Sequence, residues 1–305
     1  MHFLSNKYIR TMIITLLFSV FSLAASAAPT PVAVMHMPFE WDDTSVPVVN
    51  VEINGMRQTF MIDTGATIAL HLFKDVMAQL PGLIPEPGKQ RTTDLTGKIY
   101  LNDKFHIPQL SINGMIFKDV KGISLTIPRG MPLTSDSIIP HTMMIGLDLF
   151  KEKAVLIDYQ SQRLSVADTT QALGINMADG WVSLPLRMTQ EGVAINVLKN
   201  SKEYNMVVDT GATVSVFWKE RIKNPFVSIS CQTVMVGMEH EGCVASDFQL
   251  NEKGVKEISF NAVLLDGAFN QMDTDGLIGK NFLDKFALLI DFPAKKILIK
   301  KFKNA

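Results

Sequence analysis

Phe60-Met61-Ile62-Asp63-Thr64-Gly65-Ala66-Thr67 is written twice in this chain. It returns as Met206-Val207-Val208-Asp209-Thr210-Gly211-Ala212-Thr213, the second aspartate 146 residues after the first. Each copy is an apolar run ending in a carboxylate, a hydroxyl, a glycine and two small residues. Such runs predict buried strands, and the glycine after them predicts a turn too tight for a side chain. A carboxylate at the end of a buried strand is expensive to desolvate without a partner. Two such strand ends set face to face would give each aspartate the other, making one acid–base pair of Asp63 and Asp209.

The repeat extends in both directions. Upstream, residues 46–62 read as a hairpin with alternating apolar residues and a turn at Asn54-Gly55, a strong hairpin signal. The second half repeats this layout with Val193 to Leu198, a turn over residues 200–203, and Tyr204 to Val208. Downstream, Met144-Ile145-Gly146-Leu147 leads into Ala154-Val155-Leu156-Ile157-Asp158-Tyr159. Leu277-Ile278-Gly279-Lys280 leads into Ala287-Leu288-Leu289-Ile290-Asp291-Phe292. The offset is 133 residues at both ends of this second block. Gly146 and Gly279 would let their strands pass close to the aspartate loops, where a Cβ would collide.

Apolar-apolar-Asp-Thr-Gly-Ala resembles the active-site loop of aspartic proteases of the pepsin/retropepsin superfamily, with Gly-Ala nearer the retropepsin side. The resemblance implies an all-β fold of two related, barrel-like lobes with the active site in the cleft between them. It implies a water activated between Asp63 and Asp209 for peptide hydrolysis, with Thr64 and Thr210 hydrogen-bonding across to the opposite loop. Gly65 and Gly211 would leave backbone amides near the carboxylates, and Ala66 and Ala212 keep the loops slim. Ile145-Gly146 and Ile278-Gly279 resemble the strand that threads beside the catalytic loop in that family. Hairpins near Thr96-Gly97 and Gly237-Met238 sit where retropepsin-like enzymes carry flaps; ordinary surface hairpins are the other reading. Two copies in one chain imply one complete site per chain, hence a monomer that needs no cofactor. Like charges a few ångströms apart cannot both ionise, so one carboxyl serves as acid and the other as base. Sequence does not say which.

Residues 1–27 read as a secretory signal: Lys7 and Arg10 ahead of an apolar run from Met12 to Leu23, then Ala25-Ser26-Ala27. The expected product is periplasmic or secreted, with no stable membrane insertion. Without that segment the chain carries 27 basic and 30 acidic side chains. A balance of −3 argues against nucleic acid as a partner and for a peptide or protein substrate. The remaining length suits two domains, set here at 28–168 and 169–305, with the polar stretch 168–179 as linker. Residues 31–47 read as a Pro-punctuated lead-in with no basic pro-segment. Cys231 and Cys243 lie six positions either side of Gly237 and are expected to form a disulfide across that hairpin.

Other chemistries fit less well. The chain has no His-Glu-x-x-His and no Gly-x-Ser-x-Gly, and no metal site is expected; Glu239-His240-Glu241 reads as a solvated turn. Asp-x-Gly-x-Thr also fits the phosphate loops of actin-like and sugar-kinase ATPases, but those folds alternate strands with long amphipathic helices, and this chain offers few candidates longer than two turns. A catalytically silent peptide-binding module on the same scaffold is the non-enzymatic alternative. Intact Asp, Thr and Gly in both copies argue against it.

Overall fold

A computed structural model of the chain describes residues 33–42, 45–93, 99–125, 142–223, 227–228, 244–250, 258–267 and 269–302. All of them lie in the compact unit Pro31–Ala305. The signal segment 1–27, the hairpin tips at Thr96-Gly97 and Gly237-Met238, Cys231, Cys243 and residues 239–241 lie outside the described residues.

The first half runs β1 (Val34–Trp41), β2 (Pro47–Ile53), β3 (Met56–Asp63), β4 (Leu70–Leu72), α1 (Lys74–Gln79), β5 (Ile84–Thr93), β6 (Ile99–Ile112), β7 (Met115–Ser124), β8 (Met143–Gly146), β9 (Ala154–Asp158) and β10 (Arg163–Ala167). The second runs β11 (Val182–Pro185), β12 (Arg187–Met188), β13 (Val193–Lys199), β14 (Lys202–Val208), β15 (Ser215–Trp218), β16 (Val227–Ser228), β17 (Val244–Leu250), β18 (Ile258–Leu265), β19 (Gly276–Ile278), α2 (Lys280–Leu283), β20 (Phe286–Asp291) and β21 (Lys296–Lys301). The fold is nearly all β.

The two halves share one pairing scheme. In the first, the order β2-β3-β8-β4-β7-β6 closes on itself through Ile53 opposite Ile112. In the second, β13-β14-β19-β15-β18-β17 closes through Leu198 opposite Gln249. Closure leaves each lobe barrel-like and buries its inward-pointing apolar residues, among them Phe60, Ile62, Phe105 and Ile145, and Met206, Val208, Phe248 and Ile278. The first hairpin turns at Asn54-Gly55, both at positive φ (46° and 84°), as a two-residue turn between twisted strands requires. Its counterpart turns at Asn200-Ser201 (φ 48° and 64°). That is tighter than the four-residue turn read from sequence, because Lys202 and Glu203 pair with Lys199 and Leu198.

The lead-in is a correction. Residues 34–41 of this stretch form strand β1, in which Met35, Met37 and Phe39 are buried while His36, Pro38 and Glu40 are exposed. Pro38 hid this alternation. The strand tolerates it where β1 leaves β10 (pairing ends at Pro38 opposite Arg163) and joins β2 (pairing starts at Phe39 opposite Val49).

Strands from both halves also build a common sheet, β11-β21-β20-β9-β10-β1. At its centre β9 and β20 pair antiparallel, with Leu156 opposite Leu289, its own counterpart at the 133-residue offset. A repeat paired with itself in this way places a pseudo-twofold axis at that position. The same axis relates the two aspartate loops.

Candidate active site

Each aspartate loop is presented by a strand running parallel to an Ile-Gly strand. Asp63, at the end of β3, lies beside Gly146 of β8. Val208, the last residue of β14, lies beside Ile278 of β19, and Asp209 N–H donates to the Ile278 carbonyl at 3.0 Å. The chain then turns back through β4 and β15 on the far side of the Ile-Gly strands. This crossing explains both glycines. A Cβ on Gly146 would lie 2.1 Å from the Ile68 carbonyl oxygen, and one on Gly279 2.5 Å from that of Val214. Backbone cannot yield there.

The loops meet across the axis in a reciprocal lock. Thr64 Oγ1 donates to the Val208 carbonyl (2.7 Å) and accepts from the Thr210 N–H (3.1 Å). Thr210 Oγ1 donates to the Ile62 carbonyl (2.7 Å) and accepts from the Thr64 N–H (3.0 Å). Both threonines are buried, so four polar groups at strand ends that water cannot reach are satisfied through the opposite loop.

Asp63 and Asp209 face each other and their carboxyl groups hydrogen-bond. Asp63 Oδ1 accepts the N–H of Gly65 (2.9 Å) and of Ala66 (3.1 Å); Asp209 Oδ1 accepts that of Gly211 (2.8 Å). The glycines have a second use that the sequence did not disclose. A Cβ on Gly65 would lie 2.5 Å from Cγ of Asp209, and one on Gly211 2.7 Å from Cγ of Asp63. Each glycine makes room for the opposite carboxylate.

Burial raises both carboxyls above the usual range. For Asp63 the rise is opposed by its hydrogen bond with Asp209 and by the Gly65 and Ala66 amides. Asp209 is pushed further up, because the negative field of Asp63 and the shared hydrogen bond add to burial. Two carboxyls this close cannot both ionise readily, and of the two Asp209 is the one held more strongly toward its protonated form.

Behind the dyad lies an aromatic group in which only Tyr159 belongs to the repeat, as the counterpart of Phe292. Tyr159 stacks on Trp41 (centroids 5.2 Å apart, 14° between planes), and Phe39 meets its edge at 5.9 Å. The Lys280 ammonium sits over the Trp41 ring at 4.5 Å, joining the first lobe to the turn after Gly279. Burial, together with the charges of Asp209, Asp284 and Asp63, pushes the Tyr159 hydroxyl well above its ordinary range, so it stays protonated. His71, on β4, is the other perturbed group. Its Nε2 is shielded without a partner, and burial pulls its pKa down to about 4. Among the described residues no three His, Cys, Asp or Glu side chains group as metal ligands would.

Residues 49–149 match the aspartyl protease family model. No curated protein matches the chain by sequence. Solved structures do. An aspartic proteinase from Irpex lacteus superposes with a TM-score of 0.53 at 12% identity, over 89% of this chain and 98% of that one. Basic 7S globulin from soybean gives 0.54 at 9% identity, over 88% and 95%. Conglutin gamma, a basic 7S globulin from lupine seeds, gives 0.52 at 10% identity, over 89% and 95%.

Proposed function

We propose that this chain, a pepsin/retropepsin-like protein with the aspartic-protease fold, is an endopeptidase that hydrolyses peptide bonds with a water held between Asp63 and Asp209. The fold alone does not assign hydrolysis, since two of the three structural neighbours named above are basic 7S globulins. The observation that carries the reading is the facing pair of carboxyls. Asp63 and Asp209, each steadied by its own loop amides, face each other across a gap that only glycine permits.

In the reaction, the ionised Asp63 takes a proton from the water as its oxygen attacks the scissile carbonyl carbon. Asp209 gives its proton to the carbonyl oxygen, so a neutral gem-diol forms and the pair is left with its charge exchanged. Collapse returns a hydroxyl proton to Asp209 while Asp63 passes its own to the departing nitrogen, and the C–N bond breaks. No covalent intermediate and no metal are needed. Burial keeps the field between the carboxyls strong, and the threonine lock keeps their spacing fixed through the cycle.

We also read the product as exported and monomeric. Residues 1–27 have a positive start, an apolar core and an Ala-x-Ala end, and a single chain supplies both aspartates. N-terminal sequencing of secreted material should begin at Ala28.

The test of the reading is incubation of the purified protein with a diverse peptide library from pH 3 to 7.5, with and without a statine-containing inhibitor. Cleavage that the inhibitor abolishes is expected. Absence of cleavage across the range, with the inhibitor still bound, would assign a peptide-binding scaffold instead.

A further inference from the structure

The two lobes differ behind their catalytic loops. In the second lobe that space is plugged. Phe282 packs against Phe260 (centroids 4.8 Å) and Phe286 (4.9 Å). Asn281 Oδ1 accepts from both the N–H and the hydroxyl of Ser215 (2.8 Å each), and its Nδ2 donates to the Asn261 carbonyl (2.8 Å). The repeat offsets put Ala69, Asp148, Leu149 and Lys153 at the positions of Ser215, Asn281, Phe282 and Phe286. These four lack the hydroxyl, the amide and both rings that make the plug. In their place is a cavity of about 400 Å³ that all four line.

Its inner wall is apolar, with Phe117, Ile123 and Leu149 each buried. Its rim is charged, and most of the charges are already matched. Lys104 pairs with Glu86 (3.4 Å), Lys153 with Asp168, and Asp119 with His106 (3.5 Å), while Asp148 feels Lys151. Lys118, Lys121 and Glu152 have no ion-pair partner among the described residues, and a neutral His106 leaves the charge of Asp119 uncancelled, so the rim balances overall and its two free ammonium groups are a local feature of one strand. The positive φ at Asp119 (50°) breaks the strand alternation, so Phe117 and Val120 are both buried and Lys118 and Lys121 both exposed. The cavity thus combines an apolar wall with two unmatched ammonium groups on one strand.

We propose that this cavity binds a small amphipathic anion: an apolar side chain or alkyl tail against Phe117, Ile123 and Leu149, and a carboxylate at Lys118 and Lys121. The C-terminal residue of a peptide and a short fatty acid share that chemistry. The site backs onto the segment that follows the catalytic loop, where the Gly146 N–H donates to the Ala69 carbonyl (3.0 Å) and the Asp148 N–H to that of Thr67 (2.9 Å). It is separate from the dyad and does not rest on the hydrolytic reading.

Calorimetric titration of the full chain with N-acetyl-L-leucine, N-acetyl-L-leucinamide and hexanoate tests it directly. The acid should bind about tenfold or more tightly than the amide, as expected for one charged contact. Hexanoate binding as well as N-acetyl-L-leucine would mark a fatty-acid site, and weaker binding a peptide terminus; either supports the pocket. Leu149→Phe, which borrows the second lobe's plug, should weaken the acid about tenfold and leave peptide cleavage at the wild-type rate. Should that variant misfold by circular dichroism, the surface pair Lys118→Glu with Lys121→Glu carries the same expectation. Equal binding of acid and amide, or affinity untouched by these substitutions, overturns the proposal.

Discussion

Thr210→Val removes one hydroxyl and keeps the shape of the side chain. That hydroxyl satisfies the Ile62 carbonyl at 2.7 Å and the Thr64 N–H at 3.0 Å, at a site where Thr64 is 2% and Thr210 1% exposed. Valine would leave both groups buried and unpaired. At about 1–3 kcal/mol for each orphaned group, the expected destabilisation is about 2–6 kcal/mol. Against a folding margin of about 5–15 kcal/mol this is large enough to read in a urea melt. Thr210→Ser keeps the hydroxyl and should lose only about 1 kcal/mol for the methyl. Thr64→Val should match Thr210→Val, since the lock is reciprocal. The double variant should fall short of the sum of the two, because the first loss already frees the loops. Turnover, measured on the fraction still folded, should drop with the valine variants and not with serine. A Thr210→Val protein within about 0.5 kcal/mol of wild type, and with normal turnover, would refute the reasoning.

Gly65→Ala would set a methyl 2.5 Å from Cγ of Asp209; peptide turnover should fall by about two orders of magnitude, as for an ångström of misplacement, with far-UV circular dichroism unchanged. His71 has a folded pKa of about 4 against an ordinary 6.5. Below pH 6.5 the unfolded chain therefore takes up a proton that the folded one refuses, so stability falls as pH drops from 6.5 to 4, by about 3 kcal/mol in all, and no further below that. Urea melts at pH 7 and pH 4 should show this loss in the wild type and not in His71→Leu; identical pH dependence in the two would remove His71 from the account. Because one chain supplies both aspartates, specific activity should stay flat on dilution through the nanomolar range, and a steep loss would point to an obligate dimer.

The repeat made much of this molecule legible. Two Asp-Thr-Gly-Ala-Thr loops and two Ile-Gly strands at fixed offsets are enough to place Asp63, Asp209, Gly146 and Gly279 near one another, because a duplicated strand-and-turn can bury its carboxylates only against its twin. What the sequence left unread is what depends on pairing between the halves. The common sheet joins Leu156 to Leu289 across 133 residues, and no local pattern announces a partner so distant. A boundary at 168/169 therefore describes chain order, whereas β9, β10, β20 and β21 hydrogen-bond in one sheet. Strand β1 escaped because Pro38 interrupts a short alternation. The Tyr159–Trp41–Lys280 group escaped because its members come from three separate elements, one of them that same strand. The plug of the second lobe lay in plain view as Ser215, Asn281, Phe282 and Phe286, yet its absence from the first lobe acquires meaning only beside the cavity.

The central claim is that Asp63 and Asp209 act as one unit. It is tested most directly by the rates of single-turnover peptide cleavage for Asp63→Asn, Asp209→Asn and the double variant. Since removing either member of a shared pair leaves no second proton carrier, each single change should cost about as much as both together, at least about a thousandfold, with the fold retained by circular dichroism. Either single variant cleaving at close to the wild-type rate would contradict the account.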